Sequence, residues 1–269
     1  MNKVSRSGFY YQKKNSGTRR EKDEADLEII RESFLNSKEK AGIITLDMLL
    51  RDKSIVINHK KIARIKKEYN LITKIRRKNP YKGMQLNAKE HSKIPNYLNR
   101  DFVQLSPDLV YSTDMTYLFY GRCQKAFLSA TKDLGTNEIV SYNLMKSPTV
   151  NQFTNEFKKL LNHLDEEKRN NLMIHSDQGF QYTHPEFVKV LKQAGVKQSM
   201  SRRGVCLDNA PIECFFGHFK DLAEIKECDT FEEVREEVDR VMNYYNFERP
   251  QRALNKKPPA EYRGLFAVF

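Results

Sequence analysis

The chain has 269 residues, 39% hydrophobic and 30% charged, a balance that excludes collagen-like, mucin-like and wholly disordered classes. Lys and Arg number 47 against 35 Asp and Glu, for a formal charge of +12, and the length suits one or two domains around a buried core. No apolar run approaches the roughly 18 residues of a membrane span, and the opening residues lack a signal-peptide core, so a cytoplasmic protein is expected. Cys123, Cys206, Cys214 and Cys228 form no C-x-x-C pair and no zinc spacing with histidine. They are expected to be packing thiols, with no structural metal.

The positive charge is not spread evenly. Residues 1–100 hold 25 Lys and Arg against 11 Asp and Glu, or +14, whereas residues 101–269 hold 22 against 24, or −2. A polyanion such as DNA explains that asymmetry, because phosphate neutralisation supplies the sequence-independent part of binding; a solvated basic surface is the plainer alternative. Residues 20–34 read as an amphipathic helix, either a packing partner or a dimer contact. Two further helices, about residues 45–53 and 58–69, flank a β-branched turn at Ser54 to Ile57, the order of a helix-turn-helix. In the second, Ile62, Ile65 and Tyr69 recur on one face while Lys60, Lys61, Arg64, Lys66 and Lys67 take the remaining surface. A recognition helix needs that division, and Lys74, Arg76, Arg77 and Lys78 would track a neighbouring phosphate backbone. Turn signals at Asn79-Pro80, Gly83, Pro95 and Ser106-Pro107 then interrupt the periodicity. The expected organisation is a helical DNA-binding region at residues 1–80, a linker at 81–107 and a second domain at 108–269.

Beyond Pro107 the pattern alternates between strand and helix. Residues 109–120, 125–131 and 138–144 read as a meander of three strands, followed by a helix at 150–164 and a short strand at 172–175. Thr183 to Glu186 has the form of a capping box opening a helix to Ala194, and residues 196–200 form a last strand before a helix starting near Asp208. The expected fold is α/β: a mixed sheet, three antiparallel strands first and parallel ones after, with flanking helices. A final helix, about residues 231–246, turns Val234, Val238, Val241 and Met242 inward.

Three acids stand where chemistry would want them: Asp114 inside the first strand, Asp177 at the end of the fourth, and Glu213 in the first turns of the following helix. An acid among apolar strand neighbours calls for a reason, because a lone buried carboxylate is costly to desolvate, and a divalent cation supplies one. At about 100° per residue Lys220 returns to the direction of Glu213, with Phe215, Phe219 and Leu222 opposite. A solvent-facing pair of no consequence is the plain alternative.

Thirty-five residues separate Asp177 from Glu213, and this D…D(35)E pattern resembles the retrovirus-integrase-like DDE transposases of bacterial insertion sequences. The resemblance extends through His175-Ser176-Asp177-Gln178-Gly179-Phe180-Gln181-Tyr182-Thr183, through Ser199 to Gly204, and through Asp208-Asn209-Ala210 to Glu213, Phe215-Phe216 and Lys220. With Tyr244-Tyr245-Asn246, Arg249 and the segment from Asn58 to Leu71, it resembles the OrfB product of the insertion-sequence-three family over nearly the whole chain. Departures are Tyr111 for a usual Trp, Gln178 for a common Arg, Val205 and Leu207 before Asp208, and Pro250-Gln251 after Arg249. None removes a carboxylate.

The resemblance implies an RNase H-like core and metal-dependent cleavage and transfer of DNA strands, through a circular intermediate of the element. It implies two Mg²⁺ or Mn²⁺ ions, with Asp114 shared and Asp177 and Glu213 holding one each. Arg202, Arg203 and Lys220, the basic residues nearest the acids in sequence, would hold the scissile strand. Asn209 is expected to cap its helix, and His175 and His218 are either general bases or structural histidines. The implied partners are element ends and target DNA, further copies of the chain, and an upstream-frame protein or fusion, in the nucleoid of a bacterium. A catalytically inactive DNA-binding regulator and a general RNase H-like nuclease are the alternatives.

Overall fold

A computed structural model describes residues 5–74, 94–202 and 204–266, apart from the side chains at 6–9, 11–21 and 206. The chain divides into two units, Met1–Arg76 and Arg77–Phe269.

The first unit holds three helices, α1 (Arg6–Asn36), α2 (Ile43–Asp52) and α3 (His59–Glu68). Leu27, Ile30 and Phe34 of α1, Leu46 and Leu50 of α2, and Ile62 and Ile65 of α3 bury a shared core, so the end of α1 is a packing partner. Ser54 takes a left-handed φ of 62° in the α2–α3 turn, and the Asn58 side chain caps α3 by accepting from the Lys60 N–H at 2.9 Å. Two expectations on α3 are corrected. Tyr69 lies past the last turn and stays exposed, whereas Lys66, one turn beyond Ile62, is buried with its ammonium 3.8 Å from the Phe34 ring centroid. Its Nζ donates to the Ala41 carbonyl at 3.3 Å and the Thr73 hydroxyl at 3.1 Å, and burial lowers its pKa.

The second unit is built on five strands, β1 (Val110–Tyr120), β2 (Gln124–Asp133), β3 (Ile139–Met145), β4 (Met173–Ser176) and β5 (Lys197–Met200), in the order β3-β2-β1-β4-β5. β1, β2 and β3 pair antiparallel, and β4 and β5 extend the sheet in parallel, as the patterning predicts. The helices are α4 (Val150–Asn162), α5 (Glu166–Asn171), α6 (Phe180–Thr183), α7 (Pro185–Gln193), α8 (Ala210–Leu222), α9 (Phe231–Asn243) and α10 (Pro259–Gly264). Side chains alternate across a strand, and β1 divides accordingly. Tyr111 and Met115 join Phe153 and Phe157 of α4 and Phe187 of α7, while Leu118 and Tyr120 join Phe215 and Phe219 of α8 and Val234 and Val238 of α9. The sheet is thus covered on both faces, and Asp114 stands on the α8 side.

Local chemistry departs from expectation in places. Thr183 does not cap α7: its hydroxyl turns back to the Phe180 carbonyl, and His184 Nδ1 accepts the Glu186 N–H at 3.3 Å instead, Pro185 having set the chain direction. Cys228 is buried, but Cys123 and Cys214 are exposed rather than packing thiols, since they lie in the β1–β2 turn and on the outer side of α8. Asn246 explains part of the Tyr244-Tyr245-Asn246 block, its amide accepting from the Ile139 N–H and donating to the Ile139 carbonyl, both at 3.0 Å.

Arg263 of α10 enters a cluster of acids at the far end of β2. Its guanidinium donates to Asp108 at 2.8 Å, to Asp133 at 2.6 Å and to Glu138. Asp133 is fully buried and also accepts from the Gly135 N–H and the Thr136 hydroxyl. Gly135 is required there, because a Cβ would sit 2.2 Å from the Ser106 carbonyl oxygen. Asp108 further accepts from the buried Tyr111 hydroxyl at 2.5 Å, which gives the tyrosine at this position a role that indole could not fill in the same way. Removing the cation would leave the buried Asp133 without its counter-charge and Asp108 with Lys168 alone, 3.4 Å away. Arg263→Met is therefore expected to lower unfolding free energy by about 3 kcal/mol in urea denaturation at neutral pH. A loss below about 1 kcal/mol would show these acids to be adequately solvated.

Candidate active site

Each of the three acids comes from a different kind of element. Asp114 lies mid-strand in β1, opposite Ala130 of β2, with its Oδ1 accepting from the Met115 N–H at 2.7 Å. Asp177 follows the last residue of β4, and the Gly179 N–H donates to its Oδ1 at 2.8 Å. A Cβ on residue 179 would stand 2.9 Å from that oxygen, so glycine is what permits the approach. Glu213 sits in the first turn of α8.

The start of α8 is fastened to β1 by a residue the sequence reading assigns to a different task. Asn209 makes no side-chain cap; it is buried, accepts from the Ser112 hydroxyl at 2.7 Å and donates to the Thr113 carbonyl at 3.2 Å. Pro211 in the first turn has no N–H to be capped, which leaves the amide available to the strand. In the last turn of the helix, Lys220 donates to the Thr116 hydroxyl. Glu213 and Lys220 therefore face β1 on either side of the Asp114 level, not bulk solvent alone.

Asp114, Asp177 and Glu213 line one cleft of about 300 Å³, with Gln178, Arg202 and Asn209. Burial, then the charge of Asp177, then that of Glu213 push the Asp114 carboxyl up to about 7, against the opposing Met115 N–H and Lys220. Burial also raises Asp177, offset by the Gly179 N–H. Among the described residues no group of three or more His, Cys, Asp or Glu side chains is arranged to hold a metal ion as it stands. What the fold provides is a shared cleft with carboxylate oxygens, the donors that hard divalent cations take.

The remaining candidates divide. Arg202 lines the cleft but is ion-paired to Asp208 at 2.8 Å. His175 is fully buried, shares a 2.9 Å hydrogen bond with the Ser199 hydroxyl and is lowered by burial to about 4, which places it in the structural class. His218 lies on the outer side of α8, 3.7 Å from Cys214 Sγ. On α3, Lys61 is paired with Asp23 and Asp26, and Arg64 with Asp23 and Glu68. Lys60 and Lys67 are exposed and, among the described residues, make no ion pair. Arg76, Arg77 and Arg203 lie outside the described residues.

Two carboxylates escaped the sequence reading. Asp208, read in the sequence as the start of a helix, is buried and ion-paired to Arg100 and Arg202. Glu156 of α4 is buried between the sheet and its helix, bonded to the Ser129 and Ser141 hydroxyls, and raised by burial to about 7. Its position on the buried face of an amphipathic helix was the available signal.

The Integrase core domain family matches residues 104–206, a second Integrase core domain family matches 194–259, and the HTH-like domain family matches 21–79. InsK of insertion sequence element IS150 from Escherichia coli (strain K12), a transposase by name, is 34% identical over 97% of this chain and 90% of its own length. An uncharacterized transposase-like protein of Haemophilus influenzae is 36% identical over 78% of this chain and 94% of its own. The transposase for insertion sequence element IS904 of Lactococcus lactis is 28% identical over 90% and 96% respectively. Among solved structures, the HTLV-2 integrase catalytic core domain in complex with magnesium matches at 16% identity and a TM-score of 0.48, covering 59% of this chain and 98% of that one.

The raised Asp114 has a consequence for stability. Between the unfolded value near 3.8 and the folded value of about 7 the native state binds the extra proton, so stability falls as pH rises through this window and the cost is complete above it. Asp114→Asn removes the charge. In chelator-treated buffer it is expected to exceed the parent in stability by about 2 kcal/mol at pH 8, with the difference vanishing near pH 4. An equal difference at both pH values in denaturant titrations would show that Asp114 carries no such penalty.

Proposed function

This chain belongs to the insertion-sequence transposases with an integrase catalytic core, and from that premise we propose that it cuts a DNA strand at the end of its own element and joins the freed 3′-hydroxyl to another strand. The observation that carries the reading is the convergence of Asp114, Asp177 and Glu213, from a strand, a strand end and a helix, on one cleft.

The three acids suit a pair of hard divalent cations, magnesium or manganese, because all their donors are carboxylate oxygens and because a counter-charge offsets the burial and the neighbouring charges that raise Asp114. Asp114 would be shared between the two ions, with Asp177 and Glu213 completing one each. When bound, such ions activate the attacking oxygen and stabilise the leaving oxygen of an in-line displacement at phosphorus. The chain's own residues hold the frame: Gly179 fixes the Asp177 carboxylate, Asn209 fixes the Glu213 helix to the Asp114 strand, and Arg202 presents positive charge to the entering backbone. Cleavage and joining both exchange oxygens at phosphorus, so one centre serves both.

The helix-turn-helix unit supplies DNA affinity through Lys60 and Lys67, whereas Lys61 and Arg64 are engaged in ion pairs with α1 and with Glu68. Transposition handles two element ends together, which calls for more than one copy of the chain on DNA, and an upstream-frame protein or a fusion would add a further DNA-binding piece. No helix of the described residues is long and apolar enough to cross a membrane. All three acids are present at the cleft, so nothing favours the inactive-regulator reading.

With labelled element ends and Mg²⁺, the Asp114→Asn, Asp177→Asn and Glu213→Gln proteins are each expected to lose strand cleavage and joining by roughly a thousandfold or more. Parental rates in any of the three would overturn the assignment. The double substitution Lys60→Gln, Lys67→Gln is expected to weaken DNA binding and reduce the salt slope by about two, against an unchanged slope if these lysines only solvate the helix.

A further inference from the structure

Asp208 is a buried carboxylate with no place in the catalytic trio. It is 0% exposed, and its oxygens accept from Asn96 Nδ2 at 3.1 Å, Arg100 Nε at 2.7 Å, the Arg202 N–H at 3.1 Å, Arg202 Nε at 2.8 Å and an Arg202 terminal nitrogen at 2.9 Å. The hydrogen bonds from Arg202, with help from Arg100 and against burial, hold its carboxyl well below the usual range. Two guanidiniums thus meet on one negative charge, and the group keeps a net positive charge. Both arginine side chains remain about half exposed, at 42% for Arg100 and 50% for Arg202. Arg202 lines the cleft of the three acids, and Arg100 is bound to the same Asp208 carboxylate.

The segment that carries Arg100 is held in place independently of this pair. The Tyr97 and Leu98 N–H groups donate to the Ser199 hydroxyl at 2.9 and 3.2 Å, the Met200 N–H donates to the Pro95 carbonyl, and Leu98 is buried with Val110 and Leu134. A latch to fix the segment is therefore already present, so Arg100 and its charge need another reason. Among the described residues the terminal amino groups of Arg100 donate to no other group. A guanidinium anchored through Nε presents the rest of its planar fork outward, the form that grips phosphate.

We propose that Arg100 and Arg202, oriented by Asp208, form a phosphate-binding rim that seats the DNA strand beside the reacting one, making Asp208 a positioning residue and the segment 94–100 part of the DNA surface. The inference rests on the transposase reading for the identity of the polyanion. It goes beyond it in assigning Arg100 and Asp208 a role, and in placing DNA contact on a stretch that composition reads as linker.

The sign of one substitution separates positioning from mere charge balance. Asp208→Asn makes the protein more positive, so it should tighten DNA binding if Asp208 only neutralises the arginines. If Asp208 aims them, affinity falls to the level of the arginine variants. The test uses the full chain and a fluorescent duplex carrying the terminal repeat that flanks the gene, titrated over a range of salt. Arg100→Gln is expected to bind roughly tenfold more weakly, with the salt slope reduced by about one. Asp208→Asn combined with Arg100→Gln should be no weaker than Asp208→Asn alone, the non-additivity of residues that act together. Tighter binding by Asp208→Asn, or parental affinity and slope in Arg100→Gln, overturns the proposal. Should Asp208→Asn fail to fold, Arg100→Gln decides alone, since its side chain is half exposed. Cleavage of the same duplex in Mg²⁺ keeps the two readings apart. Arginine-dependent binding without any cleavage by the parent supports the rim and sinks the transposase chemistry, whereas cleavage with no Arg100 effect does the reverse.

Discussion

Like charges in a partly desolvated cleft repel, and the core of this protein is arranged to hold three carboxylates together in spite of it. The rigidity comes from elements that cannot move separately. β1 is the central strand, between β2 and β4, and Asp114 is paired with Ala130 of β2 just beyond the last residue paired with β4. The Asp177 turn is closed by the Gly179 N–H, and Gln178 reaches across to the Ser201 carbonyl at 3.2 Å. The helix bearing Glu213 is locked by Phe215 and Phe219 in the core, by Asn209 at its start and by Lys220 near its end. Burial first, and then the charges of Asp177 and Glu213, raise Asp114, as expected where a site is built for charge that arrives with its ligand.

Elsewhere in the same unit, buried acids are handled by the opposite rule and are given cations from the chain itself. Arg263 is shared by Asp108, Asp133 and Glu138, with Lys168 also on Asp108, and Asp208 is paired with both Arg100 and Arg202. Glu156 follows a third course, meeting only serine hydroxyls and having its pKa raised. The contrast is informative. Carboxylates with structural duties are paired or hydrogen-bonded within the fold, while Asp114 and Asp177 receive mainly backbone N–H groups and face a cleft. That difference in compensation, more than burial alone, sets Asp114 and Asp177 apart from the paired acids.

In the helix-turn-helix unit a count of basic residues overstates the surface that DNA can meet. Lys66 is buried over Phe34, and Lys61 and Arg64 bind acids of α1. These contacts fasten α3 to α1, so part of the basic composition serves the orientation of the helix, while Lys60 and Lys67 stay exposed.

Much was legible in the sequence because it depends on local periodicity and on fixed spacing. Alternation and 3.6-residue repeats place the five strands in their order of direction, the pair of helices before them, and the inward faces of α4, α8 and α9. The ordered blocks around Asp177 and Glu213 identify the family. Pairing between distant residues was not legible, since nothing in a run of side chains announces a partner 41 residues away, as Asp23 is for Arg64, or 108 away, as Asp208 is for Arg100. Hence Asn209 reads as a helix cap and proves a clamp on β1, and Lys66 reads as surface and is core. Periodicity specifies which face of an element turns inward; only the packed fold decides what that face meets, because charge pairing and desolvation are set by distance in space and not by distance along the chain.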